Sequence, residues 1–168
     1  DDLWNTKGIF TTIRVLGKPR RFLFIEEHIK NFNRSLKANS INFKIDNNFL
    51  DIVIHQLFKK HIYYDHLLRI AVNNKKISFS LRKQLQVKEK FKGILVYYQR
   101  SNWKFKNLQY NKILSFLKTI NSRSEEIILF KNNLVLEGGT TNILCVKNST
   151  IYIPKSGYDP GITLQFFL

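Results

Sequence analysis

Apolar and polar residues alternate in short runs through much of the chain, which is the pattern of β-strands that bury one face. Residues 9–16 and 22–24 are rich in β-branched and aromatic side chains and flank a Gly-Lys-Pro turn signal, so they predict a hairpin. Residues 67–72 and 77–81 lie on either side of an Asn-Asn pair and predict a second hairpin. Antiparallel strands are therefore expected to dominate this part of the chain.

Apolar residues at spacings of three and four predict helices at three places. The first covers about residues 26–38, where Ile29, Phe32 and Leu36 share a face. The second covers about residues 47–60, and the third follows Lys106. The second helix is expected to bury a broad apolar face, made of Phe49, Leu50, Ile52, Val53, Ile54, Leu57 and Phe58.

The last third of the chain predicts short strands separated by Asn and Gly punctuation. Together with one earlier strand they cover about residues 93–98, 127–130, 134–136, 142–147 and 151–153. Helices packed on largely antiparallel sheets indicate an α+β fold. The loop near residue 100 predicts a boundary between an N-terminal α+β domain, residues 1–99, and the first part of a C-terminal domain, residues 100–168.

Composition narrows the class of protein. The 168 residues carry 28 Lys and Arg against 12 Asp and Glu, a formal net charge of +16, and 43% of them are apolar. This apolar content excludes a disordered basic tail, and neither a membrane-spanning run nor a signal peptide is recognised. Cys145 is the single cysteine, so no intramolecular disulfide can form and a cytoplasmic location is expected. No metal site is predicted, because the His and Cys residues lack ligand spacing.

The positive charge raises the question of nucleic acid, since clustered Lys and Arg bind phosphates whatever the fold. Here the charges are dispersed, and no nucleic-acid-binding motif is recognised. Nucleic-acid binding is therefore not expected.

One stretch in the last third could carry chemistry. Residues 137–143 (EGGTTNI) place a carboxylate before two glycines and three small polar residues. Glycines allow a ligand to approach the backbone, and Thr hydroxyls with free amides suit a phosphate or carboxylate. The same pattern fits an ordinary turn with a solvated Glu137, which the spacing alone favours.

Several blocks taken together, in their order and spacing, resemble the class IV aminotransferase family. The blocks are residues 8–15 (GIFTTIRV), 26–29 (EEHI), 32–35 (FNRS), 106–109 (KNLQ), 137–143 (EGGTTNI), 152–154 (YIP) and 161–163 (GIT). The family includes branched-chain and D-amino-acid aminotransferases and aminodeoxychorismate lyase. The resemblance implies a two-domain fold-type IV enzyme that uses pyridoxal 5′-phosphate.

The resemblance also implies roles for individual residues. Lys106 matches the lysine that opens a helix, bonds covalently to the cofactor and moves the substrate proton. Glu137 matches the glutamate that keeps the pyridine nitrogen protonated. Further cofactor contacts fall on Thr140, Thr141, Asn142, Ile162 and Thr163.

Two departures from the family pattern concern the phosphate of the cofactor. The arginine that usually follows the matching histidine by three residues is replaced by Asn31, and Arg34 on the same helix is the candidate substitute. The arginine expected after the Gly-Ile-Thr block is replaced by Leu164. The chain also stops soon after this block, so the second domain is expected to be incomplete.

Three functions remain open from the sequence. The first is amino transfer between an amino acid and a 2-oxo acid, by a homodimer whose active sites need both subunits. The second is elimination of pyruvate to give aminobenzoate, as in aminodeoxychorismate lyase. The third is an inactive basic module that binds nucleic acid or another polyanion.

Overall fold

The computed structural model of the protein describes residues 3–58 and 63–168. The strands in these ranges are β1 (Gly8–Gly17), β2 (Arg21–Phe22), β3 (Tyr64–Asn73), β4 (Ile77–Lys83), β5 (Lys92–Tyr97), β6 (Glu125–Lys131), β7 (Leu134–Gly138), β8 (Cys145–Lys147) and β9 (Thr150–Tyr152). The helices are α1 (Ile25–Ala38), α2 (Asn47–Leu57), α3 (Asn111–Leu117) and α4 (Ile162–Phe167). This mixture of helices and mainly antiparallel strands confirms the predicted α+β class.

The chain forms two compact units. The first runs to Gln84 and also includes residues 106–109, and the second comprises residues 85–105 and 110–168. The division by compactness therefore falls at Gln84. The predicted domain boundary at residue 99 stays a prediction.

The first unit contains an antiparallel sheet with the strand order β2-β1-β3-β4. Both hairpins predicted in this part of the chain are present. In the turn between β3 and β4, the Asn73 Oδ1 accepts hydrogen bonds from the backbone N–H groups of Lys75 (2.9 Å) and Lys76 (2.8 Å). This side chain closes the turn, which is why an Asn pair signals it.

The core of the first unit lies between this sheet and the helices α1 and α2. On α1, the buried residues Ile29, Phe32 and Leu36 follow the predicted spacing. They share one apolar cluster with sheet residues such as Leu68 and Ile70. The N-terminus of α2 is capped by Asp46, whose side chain accepts a hydrogen bond from the Phe49 N–H at 2.8 Å.

The buried face of α2 is narrower than predicted. Leu50, Ile54 and Phe58 are buried, but Ile52 is 59% exposed. Residues four apart share one side of a helix, whereas Ile52 is turned about 200° from Leu50 at 100° per residue. The prediction for Ile52 is therefore wrong, and the predicted helix end near Lys60 lies outside the described residues.

Residues 106–109 lie beside β1 and pair with it through Asn107. The Phe10 N–H donates to the Lys106 carbonyl at 2.7 Å, and the Leu108 N–H donates to the Gly8 carbonyl at 2.8 Å. Because this backbone is paired with a strand, it does not enter the helix that follows, and α3 starts at Asn111. The expectation that Lys106 opens a helix is wrong.

The second unit contains a sheet with the order β5-β6-β7. β6 and β7 are antiparallel, whereas β5 and β6 are parallel. Helix α3 lies between β5 and β6 in the chain and forms the crossover that parallel strands require. The expectation of largely antiparallel sheets therefore misses one strand pair. A small core contains Ile113, Ile127 and Leu129.

Two tight hairpins complete the second unit. Asn132 and Asn133 join β6 to β7, and Asn148 and Ser149 join β8 to β9; all four residues have positive φ. Two-residue hairpins favour this conformation, and Asn tolerates it better than most residues. The turns predicted at these Asn residues are therefore present. In the described ranges, no helix is long and apolar enough to cross a membrane.

The contrast between two isoleucines on α2 tests the packing of the first unit. We expect Ile54→Ala to lower the free energy of unfolding by about 2–5 kcal/mol, because it leaves a cavity in the core. Ile52→Ala removes the same atoms from an exposed position and should change stability by no more than about 0.5 kcal/mol. Urea denaturation of both variants measures the difference. Equal losses would contradict the described orientation of α2.

Candidate functional site

Lys106 is held beside β1 in the first unit. Gly8 permits this close approach, since a Cβ at that position would overlap the Val72 carbonyl oxygen and lie 2.7 Å from Leu108 Cδ1. Leu108 is fully buried, and the Lys106 side chain is half-buried. The glycine and the anchored leucine thus fix the backbone that carries Lys106.

His28, on α1, lies close enough to Lys106 for their charges to interact. Its Nδ1 is 2.9 Å from the Oγ1 of Thr11, a buried residue of β1. Burial and, to a smaller extent, the positive charge of Lys106 lower the pKa of His28 to about 4, against the opposing effect of Glu27. His28 is therefore a neutral imidazole at pH 7, held by a hydroxyl.

Arg34 lies on the exposed side of α1. Its Nη2 donates a hydrogen bond to the Asn31 side-chain oxygen. Asn31 is the position where the family resemblance implies an arginine, so the Arg34 guanidinium lies next to that position. Its proposed contact with a phosphate stays a prediction.

Glu137, the last residue but one of β7, is 4% exposed. Its Oε1 accepts a hydrogen bond from Arg100 Nε at 2.6 Å, and its Oε2 accepts one from Arg100 Nη2 at 3.0 Å. The Asp159 N–H also donates to Oε2, at 3.1 Å. The interpretation of Glu137 as a solvated turn residue is therefore wrong.

Arg100 is buried beside Glu137 and connects it to the loop that precedes Lys106 in the chain. Its Nη1 donates to the Phe105 carbonyl at 3.1 Å, and its Nη2 donates to the Trp103 carbonyl at 3.2 Å. Burial alone would lower the pKa of Arg100, but the hydrogen bonds and negative charge of Glu137 outweigh it and raise the pKa. The result is a charged, bidentate ion pair in the interior of the second unit.

Tyr110 closes one side of this ion pair. The Arg100 Cζ lies 5.8 Å from the centre of the Tyr110 ring, and the Tyr110 hydroxyl donates to the Gly139 carbonyl at 2.5 Å. Burial raises the pKa of Tyr110; Arg100 opposes the rise, and the charge of Glu137 adds to it. Tyr110 is thus a neutral donor that ties the start of α3 to the turn after β7.

The small-residue turn after Glu137 packs directly on β6. A Cβ on Gly139 would overlap Ile127 Cγ1, so the glycine is required by this close approach. The hydroxyls of Thr140 and Thr141 donate to the Glu126 Oε2, at 2.6 and 3.3 Å. Thr140 and Thr141, both predicted to contact the cofactor, therefore form hydrogen bonds with a carboxylate in this structure.

Asn142 connects the turn to the segment that leads into α4. Its Nδ2 donates to the Asp159 carbonyl at 2.6 Å. A Cβ on Gly161 would overlap the Asn142 Oδ1, so Gly161 permits this contact. Ile162 and Thr163 form the first turn of α4, where backbone N–H groups have no partner within the helix. Glu137, Asn142 and the Asp159 backbone are thus joined by direct hydrogen bonds.

The structure adds residues that the sequence did not single out. Arg100, Tyr110 and Asp159 surround Glu137, and Thr11 holds His28. From the sequence, Arg100 belongs only to a loop, and no motif separates it from the other arginines. The one signal that the sequence offers for Arg100 is its place in the loop just before Lys106. Across residues 3–58 and 63–168, no group of three or more His, Cys, Asp or Glu side chains is arranged to hold a metal ion.

Comparison with known proteins identifies related sequences and folds. Residues 8–168 match the amino-transferase class IV family. No curated protein sequence matches the chain. Among solved structures, a crystal structure of a candidate 4-amino-4-deoxychorismate lyase has a TM-score of 0.77 at 23% identity. The match covers 98% of this chain and 70% of that protein.

Two further solved structures show the same fold. A candidate 4-amino-4-deoxychorismate lyase from Legionella pneumophila subsp. pneumophila str. Philadelphia 1 has a TM-score of 0.78 at 20% identity, covering 95% of this chain and 67% of that one. The branched-chain aminotransferase of the thermophilic archaeon Thermoproteus uzoniensis, with norvaline, has a TM-score of 0.77 at 15% identity, covering 96% and 64%. At these identities the likeness shows the fold.

His28 predicts a pH dependence of stability. Its pKa in the folded protein is about 4, below the ordinary value of 6.5. The unfolded chain therefore binds a proton first as the pH falls, and stability is lost between about pH 6.5 and pH 4. We expect His28→Gln to lose less stability than the wild type between about pH 7 and pH 4.5, measured by urea denaturation.

The matched control for this change is His55→Gln, at an exposed position on α2. It should lose as much stability on acidification as the wild type. If His28→Gln behaved like this control, the described environment of His28 would be incorrect.

Proposed function

Because the chain belongs to the class IV aminotransferase family, we propose that it transfers an amino group between an amino acid and a 2-oxo acid with pyridoxal 5′-phosphate as cofactor. The observation that carries the proposal is the buried, charge-paired Glu137 at the position implied for the residue that contacts the pyridine nitrogen. Lys106, half-buried and backbone-anchored, has the position implied for the covalent contact. Bound pyridoxal phosphate supplies a ring that draws electrons from the substrate.

The residues present fit this cofactor chemically. A protonated pyridine nitrogen needs a carboxylate acceptor, and the Glu137 carboxylate, which forms two hydrogen bonds with Arg100, is such an acceptor. The covalent contact needs a primary amine, which Lys106 Nζ provides. The two groups belong to different units.

The chain's own residues also suggest how protons are handled. We assign Lys106 Nζ to moving the proton at the substrate Cα, since an amine that can release its covalent partner can act as a base. His28 is neutral at pH 7 and adds no second positive charge near Lys106.

The phosphate contacts are proposed on the family resemblance. Backbone amides of Ile162 and Thr163 and the Arg34 guanidinium are the proposed donors, and Asn142 supports the segment before α4. Thr140 and Thr141 can donate to a phosphate only by releasing Glu126, because each hydroxyl has a single proton.

Pyruvate elimination, as in aminodeoxychorismate lyase, is the second candidate function. Two of the solved structures with this fold are candidate lyases of that type, and the blocks at 10–15 and 106–109 look more like the lyase branch. Release of pyruvate from aminodeoxychorismate without an added oxo acid would favour the lyase. Transfer of nitrogen to an added 2-oxo acid would favour the aminotransferase.

A homodimer is the proposed assembly. Several large apolar side chains of the second unit are exposed, among them Leu95, Tyr97, Val146 and Tyr152. Exposed apolar side chains of this size are commonly covered by a partner, which supports a second copy of the chain. Light scattering with cofactor present should therefore return twice the monomer mass of 20.0 kDa; a monomer would contradict the dimer.

The covalent contact is tested by chemical trapping. After incubation with pyridoxal phosphate and borohydride reduction, we expect peptide mapping to find the pyridoxyl group on Lys106, because a reduced Schiff base is stable. Lys106→Gln should abolish this adduct. Lys104→Gln is the matched control, since Lys104 is an exposed lysine two residues earlier in the chain. An adduct on Lys104 or Lys112, or none at all, would refute the proposed role of Lys106.

Substitution of Glu137 should affect both stability and activity. Glu137→Gln leaves Arg100 buried without its counter-charge, so we expect a loss of about 3–5 kcal/mol in the free energy of unfolding. Turnover measured at a temperature where the variant is folded should also fall steeply, because the ring proton loses its acceptor. Thermal denaturation and an activity assay measure the two effects.

Glu89→Gln is the control for this substitution, since Glu89 is exposed in the same unit. It should change stability by no more than about 0.5 kcal/mol and leave turnover unaltered. Wild-type turnover in Glu137→Gln would overturn the cofactor role of Glu137.

A further inference from the structure

Arg100 uses most of its hydrogen-bonding capacity in the interior of the second unit. Its guanidinium has five N–H donors in a planar fork. Four of these are accounted for by the two oxygens of Glu137 and the carbonyls of Trp103 and Phe105. Only 7% of the residue is exposed. The Trp103 and Phe105 carbonyls therefore orient the Arg100 guanidinium, and the guanidinium orients the Glu137 carboxylate.

The acceptor positions of Glu137 can be counted in the same way. An ionised carboxylate offers about four lone-pair positions, two on each oxygen. Oε2 accepts from both Arg100 and the Asp159 N–H, so both of its positions are used. Oε1 accepts from Arg100 Nε and has one position left. The network thus leaves a single acceptor position on a buried, charged group.

We propose that Arg100 is a positioning residue that supplies the counter-charge of Glu137 and leaves Oε1 as the one acceptor for a ring N–H. This inference rests on the proposed function. A buried carboxylate without a counter-charge tends to take up a proton. With Arg100 in place, a proton shared between Oε1 and the pyridine nitrogen stays on the nitrogen, where the electron-withdrawing role needs it.

A purely structural ion pair would explain stability but not the location of that proton. Direct observation of the ring nitrogen distinguishes a positioning role of Arg100 from a purely structural one. Pyridoxal phosphate labelled with ¹⁵N at the ring nitrogen reports protonation by its chemical shift. A residue that only supports folding would leave this shift unchanged in any variant that folds.

The experiment compares Arg100→Gln, Arg100→Lys and the wild type, each loaded with the labelled cofactor. We expect the wild type to show a protonated ring nitrogen. In Arg100→Gln the signal should move toward that of the unprotonated ring. Arg100→Lys restores the charge without the bidentate contact, so its signal should lie between the two. Arg123→Gln, at an exposed arginine of the same unit, should match the wild type.

The outcomes separate this proposal from the proposed function. A covalent adduct on Lys106 with an unchanged ¹⁵N shift in the folded Arg100 variants would overturn the role of Arg100 alone. Absence of any adduct in the wild type would overturn the proposed function and this inference with it. If neither Arg100 variant folds, the wild type still provides a test: an unprotonated ring nitrogen at neutral pH overturns the proposal.

Discussion

The buried ion pair between Arg100 and Glu137 is the constraint on which the second unit depends. Removing two charges from water is costly unless they meet at short distance and their remaining hydrogen-bonding groups are satisfied. Here the carboxylate receives both arms of the guanidinium and one backbone N–H, and the guanidinium also reaches two carbonyls. Three separate stretches of chain, near residues 100–105, 137 and 159, are therefore held together by one polar network.

Much of the fold follows from local sequence. Hairpins were predictable where Asn pairs separate strands, because Asn closes turns with its side chain and tolerates positive φ. The buried face of α1 was predictable from the spacing of its apolar residues. The exposed side of α2 was not, because apolar residues occupy both of its faces and only tertiary packing chooses between Leu50 and Ile52. The parallel pairing of β5 and β6 likewise depends on a crossover that periodicity does not reveal.

The candidate site, like the fold, could be predicted only in part from the sequence. The order of the sequence blocks pointed to the family, and the match over residues 8–168 confirms it. The solved structures confirm the fold-type IV architecture. The partner of Glu137 was not predictable, since Arg100 lies 37 positions away in a loop without a motif. Nor does the sequence indicate that Glu126 engages Thr140 and Thr141, because this contact depends on how the turn after β7 packs on β6.

The central claim is that Arg100 and Glu137 form a closed, water-excluded pair. Hydrogen exchange of the Arg100 Nε–H, followed by ¹H–¹⁵N NMR, tests this claim most directly. The account predicts a resolved Nε–H signal that exchanges far more slowly than those of exposed arginines such as Arg123. An Arg100 Nε–H that exchanged as fast as that of Arg123 would contradict it.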